Sequence, residues 1–195
     1  MTTQPAIDGR TARAHEGRRK VGEALLGFVR EQGALPDVET LARRAGVARR
    51  SVFRYFDGTH ALELETARLM RERLTRVLPL PAPRGGLDER LDALLTHRTR
   101  LYETVTPVRV FLEAAATRGT PGVRAFLDEA GELLRENLQV MLAPELRARP
   151  RLVTALEWVT SWEAWHALRE RQGCARARAR REVERLVRAL LASRR

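Results

Sequence analysis

The spacing of apolar residues constrains the fold of this chain more than any other feature of its sequence. Apolar side chains recur three and four residues apart along most of the 195 residues, and no stretch alternates apolar and polar residues over the length of a strand. This spacing is typical of amphipathic helices, because 3.6 residues per turn bring those positions onto one face. We therefore expect an all-α fold of about nine helices.

Glycine and proline divide this pattern into segments. The clearest break is 79–86, Pro-Leu-Pro-Ala-Pro-Arg-Gly-Gly, which is typical of a linker. The segments before it predict helices over 15–32, 38–45, 48–55 and 60–78, two of them capped by Asp37 and Thr59. The segments after it predict helices over 87–104, from Thr106-Pro107, from Thr120-Pro121 to 142, from Pro150 to Gly173, and over 175–192.

Composition narrows the class of protein. The chain has 36 Lys and Arg against 25 Asp and Glu, and its 44% hydrophobic residues can supply a core. No run of 18 apolar residues is present, and the polar first 20 residues do not resemble a secretory signal. A single cysteine, Cys174, excludes an internal disulfide and is typical of a reducing compartment. We therefore expect a cytoplasmic protein without a membrane partner.

A helix-turn-helix is predicted at 37–56, where two short helices meet at Gly46. The residues expected to face inward are Leu41, Ala42, Ala45, Val47, Val52 and Phe56. Small alanines among them allow the two helices to approach closely. The second helix is expected to present Arg49, Arg50, Ser51, Arg54 and Tyr55 outward, and these residue types suit guanine edges and phosphates. The first 55 residues carry 11 basic and 6 acidic side chains, which also favours a phosphate-binding surface.

Residues 41–56, Leu-Ala-Arg-Arg-Ala-Gly-Val-Ala-Arg-Arg-Ser-Val-Phe-Arg-Tyr-Phe, resemble the DNA-binding motif of TetR-family transcriptional regulators. The resemblance extends over about 15–75, with an amphipathic helix before the motif and a long helix after it. It implies a basic arm over 1–14, a DNA-binding domain over 15–58, a connecting helix over 59–78, and an effector-binding and dimerisation domain over 87–195. Phe53 and Thr59 depart from the family pattern, which commonly has tyrosine and lysine there.

The resemblance also implies three sites. The residues expected at DNA are Thr40, Arg43, Arg49, Arg50, Ser51, Phe53, Arg54, Tyr55 and Thr59. The residues expected at a homodimer interface are Val159, His166, Val183, Leu186, Val187 and Leu190. The candidates for a small-molecule effector pocket are His97, Arg98, Leu101, Tyr102, Phe111, Phe126, Leu134, Asn137, Met141, Trp158, Trp162 and Trp165. A protein of this kind is expected to repress transcription from a near-palindromic operator and to leave it when the effector binds.

Two features have alternative interpretations. The three tryptophans at 158, 162 and 165 share one face of a continuous helix, where they either line the pocket or form an ordinary core or dimer stripe. The arm, with Arg10 and Arg13, is either a disordered tail or a minor-groove contact.

Other function classes are less well supported by the sequence. One alternative is a basic helical module that binds nucleic acid with little sequence preference and has no effector. An enzyme is not expected, because no nucleophile elbow, phosphate loop or dinucleotide fingerprint is present. Glu163 and His166 form one Glu-x-x-His, whereas a di-iron site needs two. Cys174 is either an activated thiol or a passive turn residue. We expect no cofactor and no metal.

Overall fold

Every regular element in the described part of the chain is a helix. The computed structural model describes residues 9–77 and 79–193. The helices are α1 (Gly9–Gln32), α2 (Val38–Ala45), α3 (Arg49–Tyr55), α4 (Gly58–Val77), α5 (Leu87–Thr117), α6 (Val123–Met141), α7 (Ala143–Arg147), α8 (Leu152–Val159), α9 (Trp162–His166) and α10 (Arg176–Ala192), with a π-helix at Ala167–Arg171 after α9. The prediction of an all-α fold is confirmed.

The helices are divided between two compact units. The first unit takes in the described part of Met1–Arg73 together with Pro107–Phe126, and the second takes in Leu74–Thr106 and the described part of Leu127–Arg195. The divisions fall inside α4, α5 and α6, so each of these helices contributes residues to both units.

Helix α1 supplies the apolar face of the first unit. Val21, Leu25 and Val29 recur four residues apart and are fully buried. A Cβ atom on Gly22 would lie 2.8 Å from Cδ1 of Leu69, so glycine is the residue that lets α1 and α4 approach here. The helix begins at Gly9, so residues 9–14, which the sequence assigned to the arm, are helical; residues 1–8 lie outside the described residues.

Helix α5 runs through Pro107, where the sequence predicted that one helix ends and the next begins. Thr106 does not cap a new helix, because its hydroxyl donates backward to the carbonyl of Tyr102 at 2.6 Å. Proline has no N–H to continue the helical hydrogen bonds, yet the helix continues to Thr117. The predicted break in the helix is therefore wrong. The division between the two compact units nevertheless falls between Thr106 and Pro107.

Helix α6 begins at Val123, two residues after Pro121, which the sequence predicted as its first residue. The hydroxyl of Thr120 donates to the Glu63 carboxylate and does not cap a helix. Gly122 has φ +78°, a left-handed conformation that does not belong to a right-handed helix, so α6 begins only after it. The residues 120–122 therefore form part of the α5–α6 loop.

The helix predicted from Pro150 to Gly173 is broken at residues 160–161. Thr160 ends α8, and Ser161 begins α9 by accepting a hydrogen bond from the backbone N–H of Ala164 at 3.1 Å. Because of this break, the three tryptophans do not share one helix face. Trp158 is 65% exposed, whereas Trp162 and Trp165 are buried.

The second unit has a core of leucines from α5, α6 and α8. Leu91, Leu94, Leu138 and Leu156 are fully buried. The predicted linker is held to this core, because the side-chain amide of Asn137 donates to the carbonyl of Pro81 at 3.1 Å.

Candidate nucleic-acid interface

Helix α2 begins at a side-chain cap and ends at a left-handed glycine in the turn before α3, as the sequence predicted. Oδ1 of Asp37 accepts a hydrogen bond from the N–H of Thr40 at 2.7 Å. Gly46 has φ +65° and closes the end of α2, while the N–H of Val47 donates to the carbonyl of Ala42 at 3.1 Å. The left-handed Gly46 and the hydrogen bond from Val47 together set the direction in which the chain leaves α2 toward α3.

One face of α3 packs inward and the other lies at the surface. Val52 and Phe56 are buried, as are the α2 residues Leu41, Ala42 and Ala45, which confirms those inward positions. Val47 is only half-buried. The opposite face exposes Arg49, Arg50, Phe53 and Arg54, with 57% of Phe53 accessible.

The arginines of this face have little of their charge neutralised. Among the described residues, no carboxylate lies within ion-pair distance of Arg43, Arg49, Arg50 or Arg54. The guanidinium groups of Arg49 and Arg54 instead lie over aromatic rings, 5.9 Å from the ring centre of Phe53 and 5.0 Å from that of Tyr55.

Some arginines elsewhere on the surface, among them Arg100 and Arg147, also have no carboxylate within ion-pair distance among the described residues, but many others are paired with carboxylates. The pairs include Arg19 with Glu16 and Glu23, Arg68 with Glu65 and Glu72, Arg185 with Glu182, and Arg188 with Asp88 and Glu184. Uncompensated positive charge on an exposed helix face attracts an anionic partner, and phosphate is the anion that arginine binds with several hydrogen bonds.

The remaining predicted DNA-binding residues lie on α2, at half-buried positions of α3 and at the start of α4. The hydroxyl of Thr40 donates to Oδ2 of Asp37 at 2.9 Å and accepts from Arg43 at 3.4 Å. Ser51 and Tyr55 are half-buried. Thr59 is exposed and lies in the first turn of α4, which begins at Gly58, so Thr59 does not precede the helix as its cap.

Arg18 connects α1 to the end of α3, a role that the sequence analysis did not assign. Its Nη1 donates to the backbone carbonyl of Tyr55 at 3.0 Å, and its Nη2 donates to Glu65 at 3.4 Å. Its guanidinium also lies 4.7 Å from the ring centre of Phe56. The signal in the sequence was a charged residue three and seven positions before Val21 and Leu25, on the apolar face of α1.

Glu65 is the buried carboxylate that holds this arrangement. Burial by itself would raise the pKa of Glu65, but hydrogen bonds and positive charge from Arg68 and Arg18 outweigh it and lower the pKa. Glu65 therefore remains charged at neutral pH and pairs with Arg18, which in turn binds the backbone at the end of α3.

The effector-pocket candidates are distributed over both units. The second unit contains a small cavity of about 10 Å³, and of the twelve candidates Arg98, Tyr102 and Trp165 line it. Phe111 and Phe126 belong to the first unit, where the guanidinium of Arg71 lies 4.7 Å from the Phe126 ring centre. The remaining candidates, His97, Leu101, Leu134, Asn137, Met141, Trp158 and Trp162, lie in the second unit but do not line this cavity.

Some of the residues predicted at the dimer interface are buried within the single chain. Val183 and Val187 are buried against their own unit, so they do not present a face to a second copy. Leu186 is 39% exposed, and Val159 and Leu190 are half-buried. His166 stacks on Trp162 with ring centres 4.7 Å apart.

The remaining features singled out in the sequence are the candidate metal ligands, Cys174 and the longer apolar helices. No group of three His, Cys, Asp or Glu side chains is placed to hold a metal ion there. Cys174 is buried between the π-helix and α10, and its backbone carbonyl accepts from Arg169 at 2.6 Å. None of the helices in residues 9–77 and 79–193 is long and apolar enough to cross a membrane.

The fold has a counterpart among solved structures. The chain is similar to the crystal structure of a candidate transcriptional regulator from Pseudomonas aeruginosa PAO1, with a TM-score of 0.67 over 90% of each chain and 17% sequence identity. At this identity the likeness establishes a shared fold. No family model matches the sequence, and no curated protein matches it either.

Proposed function

We propose that this protein is a sequence-specific DNA-binding transcriptional regulator of the TetR type. The observation that carries the proposal is the exposed face of α3, on which Arg49, Arg50 and Arg54 have no carboxylate partner within the described residues. Arginine in a major groove reads guanine through its O6 and N7 atoms, and a short exposed helix after a tight turn is the element that enters this groove. The shared fold with a candidate regulator supports the proposal.

The proposed binding mode assigns separate roles to the ends of α2, α3 and α4. Arg49, Arg50 and Arg54 contact base edges and phosphates, with Ser51, Phe53 and Tyr55 beside them. Thr40 and Arg43 on α2, and Thr59 in the first turn of α4, contact the phosphates that flank the groove. In this mode Arg13, in the first turns of α1, also contacts the DNA.

We propose further that the regulator is a homodimer on a near-palindromic operator. Two α3 helices then read adjacent major grooves about 34 Å apart. The apolar residues available for pairing are Trp158 and Val159 on α8 with Leu186 and Leu190 on α10, all of them at least partly accessible in the single chain.

The proposed response is repression relieved by a small molecule. The effector binds in the second unit, and α4, α5 and α6 carry its effect because they contribute to both units. Release follows when the spacing of the two α3 helices no longer fits one turn of DNA.

The test is binding to the intergenic DNA that flanks the gene, against a scrambled competitor at the same salt concentration. Arg49→Ala/Arg50→Ala is expected to reduce operator affinity by at least about tenfold, since a good arginine–guanine pair contributes roughly 1–3 kcal/mol. The matched control is Arg147→Ala/Arg151→Ala, which removes the same two charges from exposed positions of the second unit. Equal losses in both double variants, or removal of binding by the scrambled competitor, would instead indicate a nonspecific nucleic-acid module.

A further inference from the structure

Two arginines, Arg98 and Arg180, line the cavity of the second unit, and they differ in how their charge is compensated. Arg180 forms ion pairs with Asp92 at 2.5 Å and with Glu184 at 3.3 Å. Arg98 is buried, with 4% of its surface exposed, and no carboxylate among the described residues lies within ion-pair distance of it. Of the two arginines that line the cavity, Arg180 is therefore neutralised by carboxylates and Arg98 is not.

Arg98 is held only by neutral acceptors. Its Nη1 donates to the carbonyl of Thr160 at 2.9 Å and to the hydroxyl of Tyr102 at 3.1 Å, and its Nη2 donates to the carbonyl of Leu134 at 2.6 Å. Its Nε is buried and has no hydrogen-bond partner. A buried donor on an unpaired cation is unfavourable for folding, so an anionic acceptor at this position gains both a hydrogen bond and a charge interaction.

The rest of the cavity wall is mainly apolar. Leu95, Val159, Val183 and Trp165 line the cavity together with Arg98, and hydroxyl groups come from Thr99, Tyr102, Thr160 and Ser161. Mainly apolar walls with a few polar or charged groups are typical of sites for small molecules. Inorganic phosphate would leave these walls without a partner, whereas an organic acid offers an apolar body together with its carboxylate.

We propose that this cavity binds the carboxylate of a small organic acid, with Arg98 as the anchoring residue, and that such an acid is the effector. The proposal rests on the function proposed above and specifies the chemical class of the small molecule. Arginine suits this role because its planar guanidinium matches a carboxylate and stays charged when buried.

The backbone is irregular on both sides of Trp165, which lines the cavity. A cavity of about 10 Å³ has room for about one water molecule, so an acid enters only when wall side chains rearrange. Trp165 lies between the helix break at residues 160–161 and the π-helix at Ala167–Arg171. π-helical segments are frequent at functional sites. The break also frees the carbonyl of Thr160, which accepts from both Arg98 and Tyr102.

The experiment compares acids with their uncharged amides on the full chain. Hexanoate and benzoate, hexanamide and benzamide, and inorganic phosphate are titrated at constant ionic strength while binding is followed by calorimetry and thermal unfolding. We expect the acids to bind and raise the Tm, and the amides and phosphate to bind at least about tenfold more weakly, since a charged hydrogen bond contributes roughly 1.5–3 kcal/mol. This comparison uses the unmodified protein and does not depend on any variant folding.

Variants then locate the site. Arg98→Gln is expected to lose acid binding by at least about tenfold, and Arg98→Lys to retain part of it because the charge remains. Arg90→Gln is the matched control, since Arg90 is also buried on α5 but is paired with Glu145 at 2.6 Å; it should bind acids as the unmodified protein does. Equal binding of acids and amides, binding of phosphate alone, or unchanged acid binding in Arg98→Gln would overturn the proposal.

Operator binding separates this proposal from the function on which it rests. If operator binding is specific and no acid binds, the proposed ligand class is wrong and the regulator proposal stands. If acids bind through Arg98 but the protein has no specific operator, the acid site stands and the regulator proposal fails. If acids bind through Arg98 and leave operator affinity unchanged, their assignment as effector is overturned.

Discussion

A Cβ atom placed on Gly17 would lie 2.3 Å from the hydroxyl oxygen of Tyr55, closer than any side chain permits. Gly17 on α1 is therefore the residue that leaves space for the ring at the end of α3. Tyr55 also has its backbone carbonyl bound by Arg18, so both its ring and its main chain depend on α1.

We expect Gly17→Ala to move the Tyr55 ring and to weaken operator binding. Alanine favours a helix over glycine by about 1 kcal/mol, so any loss of stability has to come from the contact with the ring. The control is Gly27→Ala on the same helix, where a Cβ atom would meet nothing within 4 Å. It should raise the free energy of unfolding by up to about 1 kcal/mol and leave operator affinity unchanged. The two changes are compared by urea unfolding and by DNA titration, and equal effects on affinity would contradict the assigned contact.

The α5–α6 loop is expected to depend on the buried carboxylate of Glu63, which is 1% exposed. Glu63 accepts from Arg118 at 2.5 Å and from the hydroxyl of Thr120. Thr120→Val leaves a buried carboxylate oxygen without its partner and should lower the free energy of unfolding by about 1–3 kcal/mol. Thr117→Val removes an exposed hydroxyl from the end of α5 and should change it by less than about 0.5 kcal/mol. Similar values in urea unfolding would show that the loop is held by other contacts.

Glu65 is expected to make stability fall as the solution becomes acidic. Its pKa in the folded chain lies below the ordinary value of 4.5, despite the opposing effect of burial, because of Arg68 and Arg18. The unfolded chain therefore takes up a proton first, so the contribution of Glu65 is complete above about pH 4.5 and is lost as the pH falls through the lowered pKa.

Glu65→Gln should consequently be less stable than the unmodified protein at neutral pH and show a smaller decline in acid. Glu72→Gln on the same helix is the control, because Glu72 also pairs with Arg68 but is exposed. The free energies of unfolding are measured between about pH 6 and pH 3. Parallel curves for Glu65→Gln and the unmodified protein would contradict the role of this carboxylate.

A charge on the proposed dimer face is expected to separate the two copies. Leu186→Glu places a carboxylate at an exposed apolar position of α10, and burying an unpaired charge in an interface is strongly unfavourable. Leu133→Glu is the control, since Leu133 on α6 is 52% exposed and lies outside the proposed face. Sedimentation of both variants should show monomer only for Leu186→Glu. A monomeric unmodified protein, or a dimer in both variants, would place the interface elsewhere or remove it.

The region of α2, the turn and α3 follows closely from the sequence because its signals are local. The bounds of α2, the cap at Asp37 and the left-handed Gly46 were all predicted, since each depends on residues within one turn of the helix. Burial of Val52 and Phe56 followed from their helical spacing.

The second half of the chain was harder to predict because distant contacts override local patterns. Thr106 and Thr120 both precede proline and both resemble helix caps, yet their hydroxyls bind Tyr102 and Glu63. The three tryptophans have the spacing of one helix face, but the break at residues 160–161 separates them. Such choices depend on which partner is near in space, which a single sequence does not specify.

The break after Trp158 also gives the chain an optical property that can be used directly. All 3 tryptophans lie in the second unit, one at the surface, one stacked on His166 and one at the cavity wall. Emission excited at the red edge of the indole band therefore reports on the second unit alone, because the first unit contains no tryptophan. Iodide will quench the emission of exposed Trp158 before that of the two buried tryptophans. The remaining emission then includes that of Trp165 at the cavity wall, so changes at the cavity can be followed in the presence of DNA without attaching a dye.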